Sequence, residues 1–318
     1  MMTKQKLSVQ APKSVVMIRP HHFHPNPATA EDNVFQASDA ERSASAIAAA
    51  AHAEVTKAAE RLEAAGVTVH LFEDEGRTTP DSVFPNNWFS THSGGHVAIY
   101  PMYSPSRRKE RRIDVIEMLK RRYRVQDVID YSGLEEDNVF LEGTGAMVLD
   151  HIERVAYAAR SNRTSEVALE RFCTHFNFEP VVFDAVDASG RPIYHTNVLM
   201  CIGTEFCLIG LNTIRDAARR AEIAERLTDG GRAIIDLTHE QITEFAGNAI
   251  ELHGRNGRVV ALSSRALKAL RPDQVAVLEG LATVLPLDVP TIELAGGSVR
   301  CMLAGIHLAA RGGMQAVA

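Results

Sequence analysis

The 318-residue sequence contains only four cysteines, Cys173, Cys201, Cys207 and Cys301, with no CxxC pair among them. Four thiols are too few to staple a chain of this length, so a disulfide scaffold is excluded and free thiols in a reducing cytosol are expected. Long apolar runs are also missing: no stretch reaches the roughly 18 uninterrupted residues of a membrane span. The opening MMTKQKLSVQAPKS is basic but holds no apolar run, so it does not read as a secretory signal. Basic charge is not in excess. The formal net charge is −6, whereas a nucleic-acid binder needs a basic face or stripe. No Walker or Rossmann glycine pattern stands between a strand and a helix, which argues against a nucleotide cofactor. His21, His22 and His24 cluster, but no second ligand group at a zinc spacing follows and Pro25-Asn26-Pro27 interrupts any regular element. The expectation is a cytoplasmic globular protein with no metal, cofactor, nucleic-acid or membrane partner.

What is present is an ordinary globular composition, 45% hydrophobic and 23% charged, long enough for a large core. SVVMIRP reads as a first strand. After a His/Pro/Asn-rich loop, an Ala-rich helix over about 39–65 follows, with Ser38 and Glu41 resembling a capping box and Gly66 as its stop. VTVHLF alternates as a strand should. A second round holds strands near 83–91 and 95–101, the helix RRKERRIDVIEMLKRRY and a strand near 125–129. Further rounds run through AMVLD, RVAYAA, SEVALERFCTHF and PVVFDAV, then NVLMCIG, EFCLIG, IRDAARRAEIAERL and RAIIDL. The last holds a helix near 239–245, AIEL, RVVALS, a helix over about 265–280 and PTIEL, before SVRCMLAGIHL closes the chain. The main helices begin near 39, 106, 164, 214 and 265, which suggests five strand-strand-helix-strand repeats. Such repeats bury a core only when stacked, so one ring-like domain over 1–318, with a flexible N-terminus over 1–13, fits better than two domains. A doubly wound α/β sheet alternates in the same way and stays open as the other reading.

Few residues look costly for structure alone. Gly296 and Gly297 place a permissive turn just before Cys301, where a thiol can face a ligand; a buried core cysteine is the competing reading. Cys201 and Cys207 sit in apolar strands and Cys173 on a helix, and all three read as core. His195 stands at a strand mouth after the turn Ser189-Gly190-Arg191-Pro192, a place suited to a general acid/base or to a purely structural histidine. Glu142, followed at once by Gly-Thr-Gly, either orients an imidazole or is simply solvated. In DSVFPNNWFS, Asp81, Asn86, Asn87 and the single tryptophan, Trp88, form either a turn or a polar pocket closed by an indole. Arg107, Arg108 and Arg163 lie at loop–helix junctions, where an arginine fork suits a carboxylate and a solvated face is the default.

In order along the chain these segments resemble the guanidino-group-modifying superfamily of arginine deiminases, dimethylarginine hydrolases and amidinotransferases. DSVFPNNW is similar to the D-x-V-F-x-E-D segment of dimethylarginine hydrolases, and SRRKE to an arginine-bearing helix start. LEGTG resembles E/D-G-G-D, RSNRTS resembles S-K-R-T-N, HTN resembles H-x-D, and GGSVRCM resembles G-G-x-x-C-M. The resemblance implies a five-bladed α/β propeller with the site at its centre. It implies catalysis by Cys301, His195 and Glu142, and substrate binding by Asp81, Asn86, Asn87, Arg107, Arg163 and Asn197. A related translation initiation factor has the propeller without the triad, so a non-catalytic binding protein is the less favoured alternative.

The departures bear on the substrate. Two family carboxylates that grip a guanidinium align with Asn87 and Asn197, and the last Asp of E-G-G-D becomes Gly145. A buried cation wants ionised partners, whereas an uncharged ureido group wants both a donor and an acceptor, which an amide supplies. The expected activity is therefore cysteine-dependent hydrolysis of L-citrulline to ornithine, ammonia and carbon dioxide, as in the citrulline-utilisation hydrolases that share this asparagine pattern. A guanidine hydrolase or an amidinotransferase is the alternative. The partner is a small amino acid, the segment 21–36 is a candidate lid, and a homo-oligomer is left open.

Overall fold

The computed structural model describes residues 9–312. Five three-stranded sheets form from segments of the chain taken in turn. The first contains β1 (Ser14–Pro20), the helix α1 (Ala44–Ala64) and β2 (Thr68–Asp74). The second contains β3 (Phe89–His92), β4 (His96–Ile99), α2 (Ile113–Arg122) and β5 (Asp127–Asp130). The third opens on a helical turn, α3 (Gly143–Ala146), followed by β6 (Met147–Asp150), β7 (Val155–Ala159), α4 (Glu166–Phe176) and β8 (Glu179–Phe183). The fourth repeats this with α5 (Thr196–Leu199), β9 (Met200–Ile202), β10 (Phe206–Ile209), α6 (Ala217–Asp229) and β11 (Ala233–Asp236). The fifth holds α7 (His239–Thr243), β12 (Ile250–Gly254), β13 (Gly257–Ser263), α8 (Ser264–Ala269), α9 (Pro272–Leu281) and β14 (Thr283–Leu287). The chain then returns through α10 (Val299–Met302) to β15 (Ala304–Gly305), which pairs antiparallel with β1 and completes the first sheet.

In every sheet the first pair is antiparallel and the second parallel. A tight turn can join only the antiparallel pair, so the parallel neighbour needs the crossover helix that each repeat supplies. The middle strands β7 and β10 are buried along their whole length, which is why VAYAA and FCLI read as unbroken apolar runs. On α1, Ile47, Ala51, Val55, Ala58, Ala59 and Leu62 form the buried stripe; each large aliphatic enclosed there stabilises by about 1.5–3 kcal/mol. The first strands of successive sheets pack on one another, β15 on β3, β6 on β9 and β9 on β12, and so line the axis of a five-bladed α/β propeller.

Several boundaries differ from the sequence reading. Ser43, not Ser38, caps α1, accepting from the Ala46 amide at 3.2 Å; Asp39 instead closes a turn with Arg42. The basic helix breaks after one 3₁₀ turn, Arg107–Glu110, because both ends of that turn point inward and pair. Pro272 splits the helix expected over 265–280 by occupying the first turn of α9, where its missing N–H costs nothing. PTIEL is no strand. The edge strand is β14, disguised in sequence by Pro286, which an edge position tolerates. Segment 9–13, expected to be flexible, is tied to the ring: buried Gln10 donates to Leu149 O and Ile202 O at 3.0 Å each. Residues 1–8 lie outside the described residues. Among the described residues, no helix is long and apolar enough to cross a membrane.

Candidate active site

Each inner strand is preceded by a tight turn at the same end of the ring. Asn87 in the 3₁₀ turn Pro85–Asn87, Gly145 in α3, Asn197 in α5, Asn248 ahead of β12 and Cys301 in α10 occupy corresponding positions, two or three residues before the strand. The stretches expected to be strands at 83–88 and 197–199 are these turns, and the turns are what aim side chains inward. Cys301 is 4% exposed, and its sulfur accepts N–H bonds from Asn197 Nδ2 and Asn248 Nδ2, both at 3.2 Å. Two donors aimed at one sulfur fix its orientation.

His195 caps α5, two residues before Asn197, and its Nε2 lies 2.9 Å from Glu142 Oε2. The glutamate is fully enclosed; its other oxygen accepts from the Tyr103 amide at 3.0 Å, and Arg163 Nη1 donates to Oε2 at 3.3 Å. Burial alone would raise the Glu142 carboxyl. Arg163, His195 and Arg107 outweigh it and hold the group below the usual carboxylate range. For His195 burial wins over Glu142, with Arg163 and Arg107 adding to it, and the imidazole is pulled down to about 4. At neutral pH the pair is therefore a carboxylate and a neutral imidazole able to take a proton. Tyr194 packs its ring on His195 and donates from its hydroxyl to Gly296 O at 2.9 Å, fastening the turn before Cys301 to the histidine segment.

Arg107, expected at a substrate carboxylate, is spent inside the protein. Its Nε and Nη2 hold Glu110 at 3.0 and 2.9 Å, and Nη1 donates to Asn87 Oδ1 at 2.8 Å. That last bond leaves Asn87 Nδ2 toward Gly145, where an added side chain would meet both this Nδ2 and the Nδ1 edge of His195. Asn87 Nδ2, Asn197 Oδ1, both polar atoms of Asn86 and Asp81 Oδ1 are buried without a hydrogen-bond partner among the described residues. Buried polar atoms are rarely left unpaired, so this cluster reads as the lining of a ligand site. Trp88 packs in the core with Val16, Ile18, Phe89 and Met102, and its Nε1 is likewise buried without a partner among the described residues.

Asn26, Asp32 and Asn248 were not named from the sequence, although segment 21–36 was expected as a lid. Segment 21–36 crosses the site and takes two of its partners: Asn26 Nδ2 donates to Asp81 Oδ2 at 2.8 Å, and Asp32 holds Arg163 through Nη2 at 2.6 Å and Nε at 2.9 Å. Asn248 was legible only by laying GNAIE over NNWFS, TNVLM and RCMLA. One group of metal-ligand type occurs among the described residues, His21, His52 and Glu73, with donor atoms within 4.8 Å of one another. Its carboxylate is already held by Arg19 and His21.

The fold is that of solved guanidino-group enzymes. The N-terminal domain of ArgZ, an arginine dihydrolase from the ornithine-ammonia cycle in cyanobacteria, solved as a cysteine-to-serine mutant bound to substrate, superposes with a TM-score of 0.71 at 17% identity. That match covers 92% of this chain and 97% of that one. Unliganded AgrE matches with a TM-score of 0.71 at 16% identity, over 94% of this chain and 40% of the longer AgrE chain. A dimethylarginine dimethylaminohydrolase adduct with S-methyl-L-thiocitrulline gives 0.61 at 14% identity, covering 93% of this chain and all of that one. No curated protein sequence matches. The eukaryotic N,N dimethylarginine dimethylhydrolase family model matches residues 19–308. The chain therefore belongs to the N,N dimethylarginine dimethylhydrolase family, within the guanidino-group-modifying superfamily of five-bladed α/β propellers.

Proposed function

We propose that this protein is a cysteine-dependent hydrolase of the ureido group of L-citrulline, releasing ornithine, ammonia and carbon dioxide. The observation that carries the reading is the orientation of Asn87. Arg107 takes its carbonyl oxygen, which leaves the Nδ2 donor buried and unpaired among the described residues. A donor suits the oxygen of a ureido head and repels a guanidinium. Asn197 Oδ1 offers the complementary acceptor for the terminal NH₂. Glu142 adds no free charge, because His195, Arg163 and Arg107 already surround it.

In this mechanism neutral His195 takes the Cys301 proton and the sulfur adds to the ureido carbon. The C–NH₂ bond then breaks, and the proton on His195 leaves with ammonia. Water enters, His195 removes its proton, and the hydroxide adds to the S-linked carbamoyl carbon. The C–S bond breaks, the sulfur regains the proton, and the N-carboxylated amine loses carbon dioxide to give ornithine. Asp81 Oδ1 receives the substrate α-ammonium, and Arg163 receives its α-carboxylate in place of Asp32.

The relatives support a second reading. The family model is named for dimethylarginine and the solved structures for arginine and dimethylarginine, which favours a guanidine as substrate. Side-by-side assays with citrulline, arginine and dimethylarginine, reading ammonia, dimethylamine, citrulline and ornithine, separate the two. Faster turnover of arginine or dimethylarginine than of citrulline sinks the ureido reading. Cys301→Ala is expected to lose at least about a thousandfold in kcat; retention of most of the activity would remove Cys301 from the mechanism.

A further inference from the structure

We propose that Asn248 is a positioning residue for the nucleophile, holding the Cys301 sulfur in its attacking orientation from the fifth blade. Its amide is fully buried and every polar atom is used. Nδ2 donates both to Cys301 Sγ at 3.2 Å and to Asn197 O at 3.0 Å. Oδ1 accepts from the Arg300 amide at 3.0 Å, so one side chain grips the nucleophile, the residue before it and the neighbouring blade's turn.

The local chain is built to deliver this group. Phe245 takes a left-handed conformation, φ 61°, which a bulky residue adopts only under constraint. Asn248 N then closes the turn on Phe245 O at 2.9 Å. Gly247 lies flat against α5, where an added Cβ would come within 2.4 Å of Val198 O. The result places Asn248 on the axis at the position held by Asn87, Gly145 and Asn197 in the other blades. Asn87 Nδ2 and Asn197 Oδ1 are left unpaired among the described residues, whereas Asn248 spends both donors and its oxygen inward and is left to act through Cys301.

This inference rests on Cys301 being the nucleophile, and its test reads thiol reactivity without any substrate. Cys301 alkylation by iodoacetamide is followed by mass spectrometry between pH 6 and 10 in wild type, Asn248→Ala and Asn248→Asp. Losing one hydrogen bond to a charged acceptor slows alkylation at neutral pH by about ten- to a hundredfold. The pH profile is expected to move to higher pH by about one to two units in Asn248→Ala and further in Asn248→Asp. The aspartate keeps the bond to the Arg300 amide but replaces the donor with an acceptor, so it serves where the alanine variant fails to fold. Citrulline turnover by Asn248→Ala is expected to fall in kcat with KM within about threefold. An unmoved pH profile in the folded variants, or a lower melting temperature with no change in the profile, overturns the proposal. An active Cys301→Ala enzyme overturns the nucleophile reading itself, which no result of the alkylation experiment does.

Discussion

At the scale of single residues, Gly145 shows how an absent side chain sets a site. A Cβ there would lie 2.2 Å from Asn87 Nδ2 and 2.8 Å from His195 Nδ1, so the amide and the imidazole occupy the space where relatives carry an aspartate. Gly145→Ala is expected to displace both groups, lowering kcat by about a hundredfold or more. Thermal stability should fall by no more than about 1–3 kcal/mol, the usual cost of one overpacked methyl. Wild-type turnover with this variant would mean that the present placement of Asn87 and His195 is not needed. Cys301, His195 and Glu142 stood out in the sequence only through short segments in family order, since local sequence alone left a structural reading open for each. The structure pairs His195 with Glu142 and sets Cys301 against Asn197 and Asn248. The role of Arg107 was not legible in the sequence. Its sequence context places it at a helix start, but only the packed structure shows Glu110 and Asn87 using up its donors.

At the scale of elements, segment 21–36 is the part of the site most open to change. Its length and polarity marked it as a lid, and the structure ties it down with the atoms a bound amino acid would use: an amide donor on Asp81 and a carboxylate on Arg163. Burial raises the Asp32 carboxyl, but its bonds to Arg163 outweigh this and hold it below its ordinary range, so it is fully charged at neutral pH. Asp32→Asn weakens a charge-assisted fork to a neutral contact. The expected outcome is a several-fold lower KM with kcat within about twofold, because the substrate α-carboxylate no longer competes with Asp32 for Arg163. A tenfold rise in KM would instead mean that Asp32 holds Arg163 in place for the substrate. The long helices were legible from periodicity, while their breaks at Glu110 and Pro272 were not, since each depends on what the exposed-looking residues meet after folding.

At the scale of the whole molecule, the ring encloses neutral histidines. Burial pulls His195 and His307 down to about 4, and His92 and His151 well below 6.5. A histidine whose folded value lies below its unfolded one contributes stability that is present above pH 6.5 and lost as pH falls toward about 4, because the unfolded chain binds the proton more readily. For His195 the full shift corresponds to at most about 3 kcal/mol. Glu54, Glu251 and Glu293, raised by burial, act with the opposite sign, so a difference between variants is the quantity to read. His92 packs among Phe172, Phe176 and Phe178, and His92→Phe keeps an aromatic there while removing the proton site and the bond to Ser90 Oγ, which retains Tyr100 Oη. Melting temperatures from pH 7.5 to 4.5 are expected to fall less steeply in this variant than in wild type; parallel curves would exclude His92 from the acid response. The sequence by itself determined the apolar strands and the family, which rest on hydrophobic pattern and on short motifs that survive in order along the chain. Periodicity suggested the five repeats but left open a doubly wound sheet, which the five separate sheets exclude. Tertiary structure alone decided which polar groups remain free. Hydrogen bonds are directional and each donor is used once, so the availability of Asn87, Asp81 or Arg163 depends on partners that folding brings from distant parts of the chain.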